Sequence, residues 1–500
     1  MYLIVFISLM LALGGTSILA KAASVDLPQG VITGVEAEGI QVFKGIPYAQ
    51  PPVGAQRWQP PRPIEPGEIA IAADQYGPMC LQKPNNNQSK LDMSEDCLSL
   101  NIWSKELGSK QPVMVWIHGG GFRGGSNRIA GEVFAKKDNV VVSMNYRLGP
   151  LGFFAHESLD QPTANFGLLD LELALKWVQQ NIHSFGGDPD NVTIFGVSAG
   201  GQIVNLLMVS PRARGLFHRA ISQSGYATWP LPRGRNAPNA GPLNLFMKPA
   251  LSAEQMDRKL IASINSNDQT RDMLMSLEGE KLINAQTGFR LPIVDGESLL
   301  EEPGILFLRG MQASVPLMTG GNSYEGSVMG GTTLTPTDIV RSTGEDFDIA
   351  SALYSGDPEG IWQRRLFGDM RYLLSSLVTA DAMKKSPTWL YFIDFLAASQ
   401  AGQPGTAHGS DAWFIYSGST SADPAVRELS GRMIEYWSQF ARYGNPNSPN
   451  LSAWPSYNKQ TRSWLIFDEF DRVGRAILDT KLGFHERRYL ERVSLTVKPD

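Results

Sequence analysis

A tight glycine turn between a buried strand and an apolar helix is the feature that most restricts how this 500-residue chain can fold. The turn reads Gly196-Val197-Ser198-Ala199-Gly200. Residues 192–195 before it are apolar and β-branched, which predicts a strand, and residues 201–209 after it predict a helix. Such a turn leaves no room for β-carbons on its glycines, and it projects its central serine above the edge of a sheet.

Other apolar segments place this turn in a larger sheet. Residues 113–117, 140–144, 220–223, 315–319 and 389–395 predict buried strands, and residues 168–182 have apolar side chains at helical spacing. Strand, helix and strand in that order predict βαβ units and a mostly parallel sheet. Residues 225–302 are less regular, and we interpret them as an insertion over the carboxyl ends of the strands, where open α/β sheets bind ligands.

Composition excludes several classes of protein. Hydrophobic residues make up 42% of the chain and charged residues 19%, which supplies a large core and argues against disorder. The net charge is −5 without a long basic block, so no nucleic-acid partner is expected. With only two cysteines the chain cannot build a site of four thiolates, and no metal site is predicted.

The amino terminus predicts export. Residues 2–13 are almost continuously apolar, small residues follow, and Ala20-Lys21-Ala22 matches a cleavage signal. We therefore expect a signal peptide at 1–22 cleaved after Ala22, a single domain at 23–500, and a secreted or periplasmic protein. Because no Lys or Arg precedes the apolar segment, an uncleaved anchor is the alternative. No later segment is apolar for 18 residues, so the mature chain should have no membrane span.

An exported chain can form disulfides. Cys80 and Cys97 are 17 residues apart around a polar stretch, and we expect one bond between them, which would stabilise the fold by roughly 3 kcal/mol. Two free, buried thiols are the alternative.

A serine in such a turn becomes nucleophilic only if a base accepts its proton. In this strand–turn–helix context the order along the chain is serine, acid, histidine, which leaves three of the six histidines. His218 follows Ser198 too closely for an acid-bearing strand to intervene. His485 lies in a charged segment that predicts a solvated terminal helix. His408 lies in a glycine-containing loop after the strand at 389–395, so we assign it as the general base.

The acid should follow a strand between Ser198 and His408. Glu325 is the only acid in the loop 320–326, directly after the strand predicted at 315–319. Asp295 and Glu297 are the rivals, but their Pro-flanked turn is more simply structural. We therefore expect Glu325 to orient the imidazole of His408.

A glycine-rich segment at 116–122, Trp-Ile-His-Gly-Gly-Gly-Phe, could supply N–H donors to an oxyanion. Together with the residue after the serine, it predicts an oxyanion hole formed by Gly120, Gly121 and Ala199. A phosphate cradle is the alternative, but the chain has neither G-K-[ST] nor G-x-G-x-x-G at this point.

In combination these motifs resemble the type-B carboxylesterase family, the cholinesterase-like branch of the α/β-hydrolase fold. The resemblance covers nearly all of the mature chain and includes further motifs at residues 43–54, 94–101, 145–150, 185–189, 437–442 and 444–446. It implies a large, mostly parallel central sheet flanked by helices, with insertions over the active site. It also implies a serine carboxylic-ester hydrolase with Ser198, Glu325 and His408 as its triad, a small-molecule ester as substrate, and no cofactor.

The chain departs from the family at positions that bear on the substrate. Val197 stands where the family usually has Glu, and Tyr324 where it often has Asp. The segment between Cys80 and Cys97 contains no Trp, Tyr or Phe to hold a quaternary ammonium by cation–π contact. We therefore expect neutral, largely apolar esters rather than choline esters. Candidates to line the pocket are Phe122, Trp229, Phe289, Tyr324 and Phe414.

Two other functions are compatible with this fold. One is a non-catalytic adhesion or binding module, although such members usually lack the serine or the histidine. The other is a peptidase or amidase, which would have to cleave a bond with a poorer leaving group.

Overall fold

The structure is a computed structural model that describes residues 22–67, 70–84, 93–160, 162–237, 251–264, 268–331 and 335–494. Apart from Ala22, the expected signal peptide lies outside the described residues. Ala22 is the first residue of a strand and pairs with Val35.

The strands in the described ranges are β1 Ala22–Leu27, β2 Gly30–Ala37, β3 Ile40–Pro47, β4 Ile71–Ala72, β5 Met79–Cys80, β6 Met93–Ser94, β7 Ser99–Ser104, β8 Gln111–Ile117, β9 Val140–Met144, β10 Gly187–Val197, β11 Arg219–Gln223, β12 Leu317–Asn322, β13 Thr388–Ile393, β14 Ser463–Phe467 and β15 Arg472–Arg475. Among these residues one sheet has the order β1-β2-β3-β7-β9-β8-β10-β11-β12-β13-β14-β15, with β4 beside β2. Its central strands, from β9 to β14, pair in parallel, while the outer pairs of this order are antiparallel.

The α-helices in the same ranges are α1 Glu132–Ala135, α2 Gly149–Gly152, α3 Phe166–Asn181, α4 Ala199–Val209, α5 Ala253–Ser263, α6 Arg271–Ser276, α7 Gly279–Ala285, α8 Pro303–Leu308, α9 Pro336–Thr343, α10 Phe347–Leu353, α11 Ile361–Gly368, α12 Leu374–Ala382, α13 Ser410–Tyr416, α14 Pro424–Tyr443 and α15 Asp479–Ser494. A π-helical turn, Asp369–Leu373, joins α11 to α12. None of the described helices is both long and apolar enough to span a membrane.

The sheet is buried on both faces, as its continuous apolar strands require. Alternate residues of β8 enter different cores: Val115 belongs to the cluster that includes α3 and α4, and Met114 to the cluster that includes α14. Leu175 of α3 and Trp437 of α14 are fully buried in these two layers. The helix–sheet–helix sandwich that the sequence predicts is therefore confirmed.

The insertion between β11 and β12 covers the sheet edge near the glycine-rich segment. Its described part contains α5, α6, α7 and α8. The N–H of Arg290 donates to the carbonyl of Gly121 at 3.0 Å, and the guanidinium of Arg123 donates to the carbonyl of Gly288 at 3.1 Å. The insertion is thus held directly against the loop that carries the expected oxyanion donors.

Cys80 and Cys97 form a disulfide, as predicted. Its neighbour Gln82 spans the gap to the glycine-rich loop: the side-chain amide donates to the carbonyl of Gly125 at 2.8 Å and accepts from its N–H at 2.8 Å. Residues 85–92 of the enclosed segment lie outside the described residues.

Candidate active site

Ser198 occupies a strained turn at the carboxyl end of β10. Its φ of 57° and ψ of −117° fall outside the regions that ordinary residues favour, and α4 begins at the next residue. A β-carbon on Gly200 would lie 2.1 Å from the carbonyl oxygen of Ile117, so only glycine fits between this turn and β8. The turn therefore has the geometry that the motif predicts.

Parallel pairing brings the other loops to the same edge. Val197 lies opposite Gln223 on β11, and Gln223 lies opposite Gly320 on β12. The N–H of Ser198 donates to the carbonyl of Gln223, and the N–H of Ser224 donates to that of Gly320, both at 2.8 Å. Residues that follow β10, β11 and β12 consequently form one cluster at the edge where the insertion lies.

Glu325 and His408 meet at this edge although 83 residues separate them. Nδ1 of His408 is hydrogen bonded to Oε2 of Glu325, and both side chains are almost completely buried. Nε2 of His408 is buried too, and it makes no hydrogen bond within the described residues, to Ser198 or to any other group. The imidazole is therefore oriented on one side and has an unused nitrogen on the other.

The second oxygen of Glu325 is held as firmly as the first. Oε1 accepts from the hydroxyl of Ser224 at 2.6 Å and from the N–H of Asn322 at 2.6 Å. Burial alone would raise the pKa of Glu325, but the adjacent His408, the Ser224 hydroxyl and the Asn322 N–H together hold that pKa below its usual value. The carboxylate is thus kept ionised in a site that would otherwise favour its neutral form.

The loop that carries the acid and the loop that carries the histidine are fastened to each other. The N–H of Tyr324 donates to the carbonyl of Thr406, and the N–H of His408 donates to the hydroxyl of Ser327, both at 2.8 Å. The guanidinium of Arg365 donates to a carbonyl in each loop, at Ser323 and Pro404. These contacts set the distance between the carboxylate and the imidazole.

The glycine-rich loop lies directly beside the serine. A β-carbon on Gly119 would lie 3.3 Å from Cβ of Ser198. The backbone N–H groups of Gly120, Gly121 and Ala199 donate to no acceptor within the described residues. Ala199 is the first residue of α4, where an N–H has no partner inside the helix. Three unused donors are therefore available near the serine.

His118 stabilises this loop and does not compete as a base. Burial lowers its pKa to about 4, so its ring is neutral at neutral pH. Nδ1 must donate to the carbonyl of Gly119, 2.9 Å away, and the hydroxyl of Tyr146 donates to the carbonyl of His118. The imidazole and the phenol ring also stack, with centroids 4.5 Å apart.

The other residues weighed from sequence have structural roles. Asp295 caps its own turn, accepting from the N–H groups of Ser298 and Leu299. Nδ1 of His218 accepts from the N–H of Val192. The expected solvated position of His485 is wrong: the residue lies in α15 but is only 2% exposed, because this helix packs its ring against Tyr354.

Three residues near the site were not found by sequence reasoning. Ser224 holds Glu325, the Tyr372 ring lies 4.6 Å from the imidazole of His408, and Arg371 is buried beside that ring. A signal existed for the last of these, because an arginine inside the apolar segment 370–378 is unusual. Ser224 gives no such signal, since many serines follow strands.

Comparison with known proteins identifies the family of this chain. The model of the carboxylesterase family matches residues 21–354 and 362–485. The para-nitrobenzyl esterase of Bacillus subtilis is 32% identical over 469 residues, which cover 88% of this chain and 93% of that protein. Carboxylesterase 4A of Bos taurus is 32% identical over 513 residues, covering 90% and 91%.

Solved structures give the same result. A PNB esterase superimposes with a TM-score of 0.80 at 28% sequence identity, and the match covers 92% of this chain and 99% of that one. The family match, the relatives and the shared α/β-hydrolase fold lead to one conclusion: the chain belongs to the carboxylesterase family.

Proposed function

We propose that this protein is a serine carboxylesterase that works through an acyl-enzyme, with Ser198, Glu325 and His408 as its catalytic triad. Family membership supports ester hydrolysis on small molecules. The observation that carries the proposal is the hydrogen bond between Glu325 and His408, which leaves Nε2 as the free nitrogen of a buried imidazole at the edge where Ser198 lies.

Each group has one task in the proposed reaction. Nε2 of His408 accepts the proton of Ser198 as the hydroxyl oxygen attacks the ester carbonyl, and then returns it to the departing alcohol. The N–H groups of Gly120, Gly121 and Ala199 donate to the oxyanion. The same imidazole then activates the water that hydrolyses the acyl-enzyme. Glu325 stays ionised throughout and stabilises the imidazolium.

The hydrogen bond to Glu325 also selects the tautomer of His408. Because Nδ1 carries the proton that is shared with the carboxylate, Nε2 of the neutral ring has a lone pair available for the proton of Ser198. Without the carboxylate the two tautomers would compete and the ring could rotate. The acid is therefore needed for the direction of the imidazole as well as for its charge.

We also propose that the larger part of the ester substrate is apolar. Phe289 contacts Gly121 of the glycine-rich loop, and Trp229 packs edge-on against Phe367. The absence of an aromatic residue between Cys80 and Cys97 still argues against choline esters. Export to the medium or the periplasm is proposed from the amino-terminal sequence alone.

The test compares wild type with Ser198→Ala on 4-nitrophenyl butyrate and with an organophosphonate serine probe. We expect wild type to hydrolyse the ester and to gain one probe adduct, at Ser198, and expect the variant to do neither. Ser109→Ala is the control, because Ser109 is only partly exposed but precedes the amino end of β8, whereas the glycine-rich loop of the site follows the carboxyl end of that strand. Full activity in Ser198→Ala, or an unlabelled wild type without esterase activity, would contradict the proposal.

A further inference from the structure

A buried guanidinium without a carboxylate partner lies next to the proposed site. Arg371 is only 3% exposed, and no Asp or Glu of the described residues forms an ion pair with it. Outside those residues the chain contains just three acids, Glu68, Asp92 and Asp500. Arginine remains charged in proteins, so this site holds a buried cation that no carboxylate of the described residues contacts.

Aromatic rings surround this cation. Its central carbon lies 4.3 Å from the ring centroid of Tyr226, 4.5 Å from that of Trp229 and 5.5 Å from that of Tyr372. The rings of Phe289 and Phe367 lie at 5.8 Å. Ring faces attract a guanidinium, but they cannot accept its N–H groups as an oxygen would.

Several polar atoms here have no hydrogen-bond partner within the described ranges. They are Nε and Nη2 of Arg371 and the hydroxyl of Tyr226. Burial raises the pKa of the Tyr226 hydroxyl to about 12, although the charge of Arg371 and the closeness of its guanidinium to the hydroxyl oppose that rise, so the hydroxyl keeps its proton and can donate. Buried donors are normally satisfied, and a group of them around one cation indicates a missing acceptor.

The position of the guanidinium connects it to the catalytic groups. The Tyr372 ring packs on the imidazole of His408, and the Phe289 ring packs on Gly121 of the expected oxyanion hole. Arg371 lies against both rings, so one aromatic ring connects it to the proposed base and another connects it to Gly121. It also lies in the π-helical turn Asp369–Leu373, a distortion that often marks functional sites.

We propose that Arg371, with the hydroxyl of Tyr226, recognises a carboxylate on the substrate, so that the preferred esters are half-esters of dicarboxylic acids or esters that carry an acid group elsewhere. This inference rests on the proposed function and changes the expected substrate from a neutral ester to an apolar ester with an anionic end. A carboxylate matches the fork of a guanidinium, and the charge of each is offset by the other in the buried site. A cationic choline ester would be repelled.

The test measures kcat/KM for two esters of equal chain length, monoethyl adipate and ethyl hexanoate, by ethanol release at pH 7.5. A second pair, 4-carboxybutyl butyrate and pentyl butyrate, carries the acid on the alcohol side and is followed by butyrate release. We expect wild type to prefer the acidic ester in one pair, and that pair identifies the side. In Arg371→Met that preference should fall roughly 10- to 100-fold, mainly through KM.

Arg371→Lys keeps the charge without the planar fork and should recover part of the preference. Lys384→Met removes an exposed positive charge just after α12 and should leave the preference unchanged. The proposal is overturned if wild type prefers the neutral ester in both pairs or if Arg371→Met keeps the wild-type preference. It is also overturned if Lys384→Met loses as much of that preference as Arg371→Met does. The wild-type comparison stands even if Arg371→Met does not fold.

The two proposals fail in different ways. If wild type hydrolyses the neutral esters and Ser198→Ala does not, the serine esterase assignment stands whatever the effect of the carboxylate. If wild type hydrolyses none of the four esters, both proposals are contradicted.

Discussion

Glu325 uses both of its oxygens in the site: one is hydrogen bonded to Nδ1 of His408 and the other accepts from the hydroxyl of Ser224. The two contacts come from opposite directions along the chain, 101 residues before the acid and 83 residues after it. The carboxylate is thereby both fixed in position and kept ionised. An acid whose only task was to balance charge would not need to be fixed in position.

Glu325→Gln tests this relationship. The amide has the size of the carboxylate but cannot stabilise an imidazolium, and it can pair with the wrong tautomer of His408. We expect kcat on 4-nitrophenyl butyrate to fall by about 10³–10⁴, with little change in KM. Glu297→Gln is the matched control, because Glu297 has a largely exposed side chain outside the site. Equal kcat values for Glu325→Gln and wild type would rule out Glu325 as the orienting acid.

Gly120→Ala tests the proposed oxyanion hole. At this residue φ is +111°, and an added β-carbon would lie 2.1 Å from the carbonyl oxygen of Gly124, so the loop has to change shape. We expect kcat to fall by about 10²–10³, the cost of losing one oxyanion donor.

Gly431→Ala is the control for that loop variant. Gly431 lies within α14, and a β-carbon there meets no atom within 4 Å. We expect normal kcat and a gain of about 0.5–1 kcal/mol in the free energy of unfolding. Normal activity in Gly120→Ala, with its fold intact by circular dichroism, would exclude this residue from the hole.

Replacing Cys80 and Cys97 together by serine tests the disulfide. Closing a loop over a sequence separation of 17 restricts the unfolded chain, so we expect the variant to lose about 3 kcal/mol of unfolding free energy. Urea denaturation of wild type and variant, each with and without reductant, measures the loss. Because Gln82 links this region to Gly125, esterase activity should also be lost at a lower urea concentration. A variant as stable as oxidised wild type would contradict both expectations.

Local patterns predicted the elements that position the site. The strand at 192–195, the turn at Ser198 and the helix after it depend on neighbouring residues, and the structure places them in β10 and α4. The strand before Glu325 begins at Leu317, two residues later than expected, and extends to Asn322. Its shift does not change which loop carries the acid.

Contacts between distant segments could not be predicted in the same way. Nothing near Ser224 indicates that its hydroxyl meets a carboxylate 101 residues away. For His485 the local sequence was misleading. Its charged neighbours suggested a solvent-exposed side chain, yet the ring is buried on the opposite face of the same helix. The charged residues of a helix therefore do not show which face is exposed to solvent until the packing of that helix is known.

The burial of His485 predicts how stability responds to pH. Nε2 of its ring lies 3.0 Å from the hydroxyl of Tyr354, which donates to Asp369. Burial lowers the pKa of His485 to about 3 and raises that of Asp369 to about 6. Between pH 3 and 6.5 the unfolded chain therefore binds a proton at the histidine that the folded protein does not bind, so this group favours unfolding as pH falls.

The aspartate has the opposite sign. From its ordinary value of 3.8 up to about 6, the folded protein holds a proton on Asp369 that the unfolded chain has lost, so this group lowers stability as pH rises. In the overlapping range the two effects largely cancel in wild type. Replacing either residue by one that does not titrate should reveal how the other residue makes the unfolding free energy depend on pH.

His485→Gln and Asp369→Asn make that test. We expect the unfolding free energy of His485→Gln, relative to wild type, to increase by about 1.4 kcal/mol for each pH unit between 6 and 4 as the pH is lowered. Asp369→Asn should change in the opposite direction. Urea denaturation at pH 4.5, 5.5, 6.5 and 7.5 gives both differences, and titrating groups common to the three proteins cancel. Parallel pH profiles for wild type and His485→Gln would mean that the imidazole titrates as if it were in water.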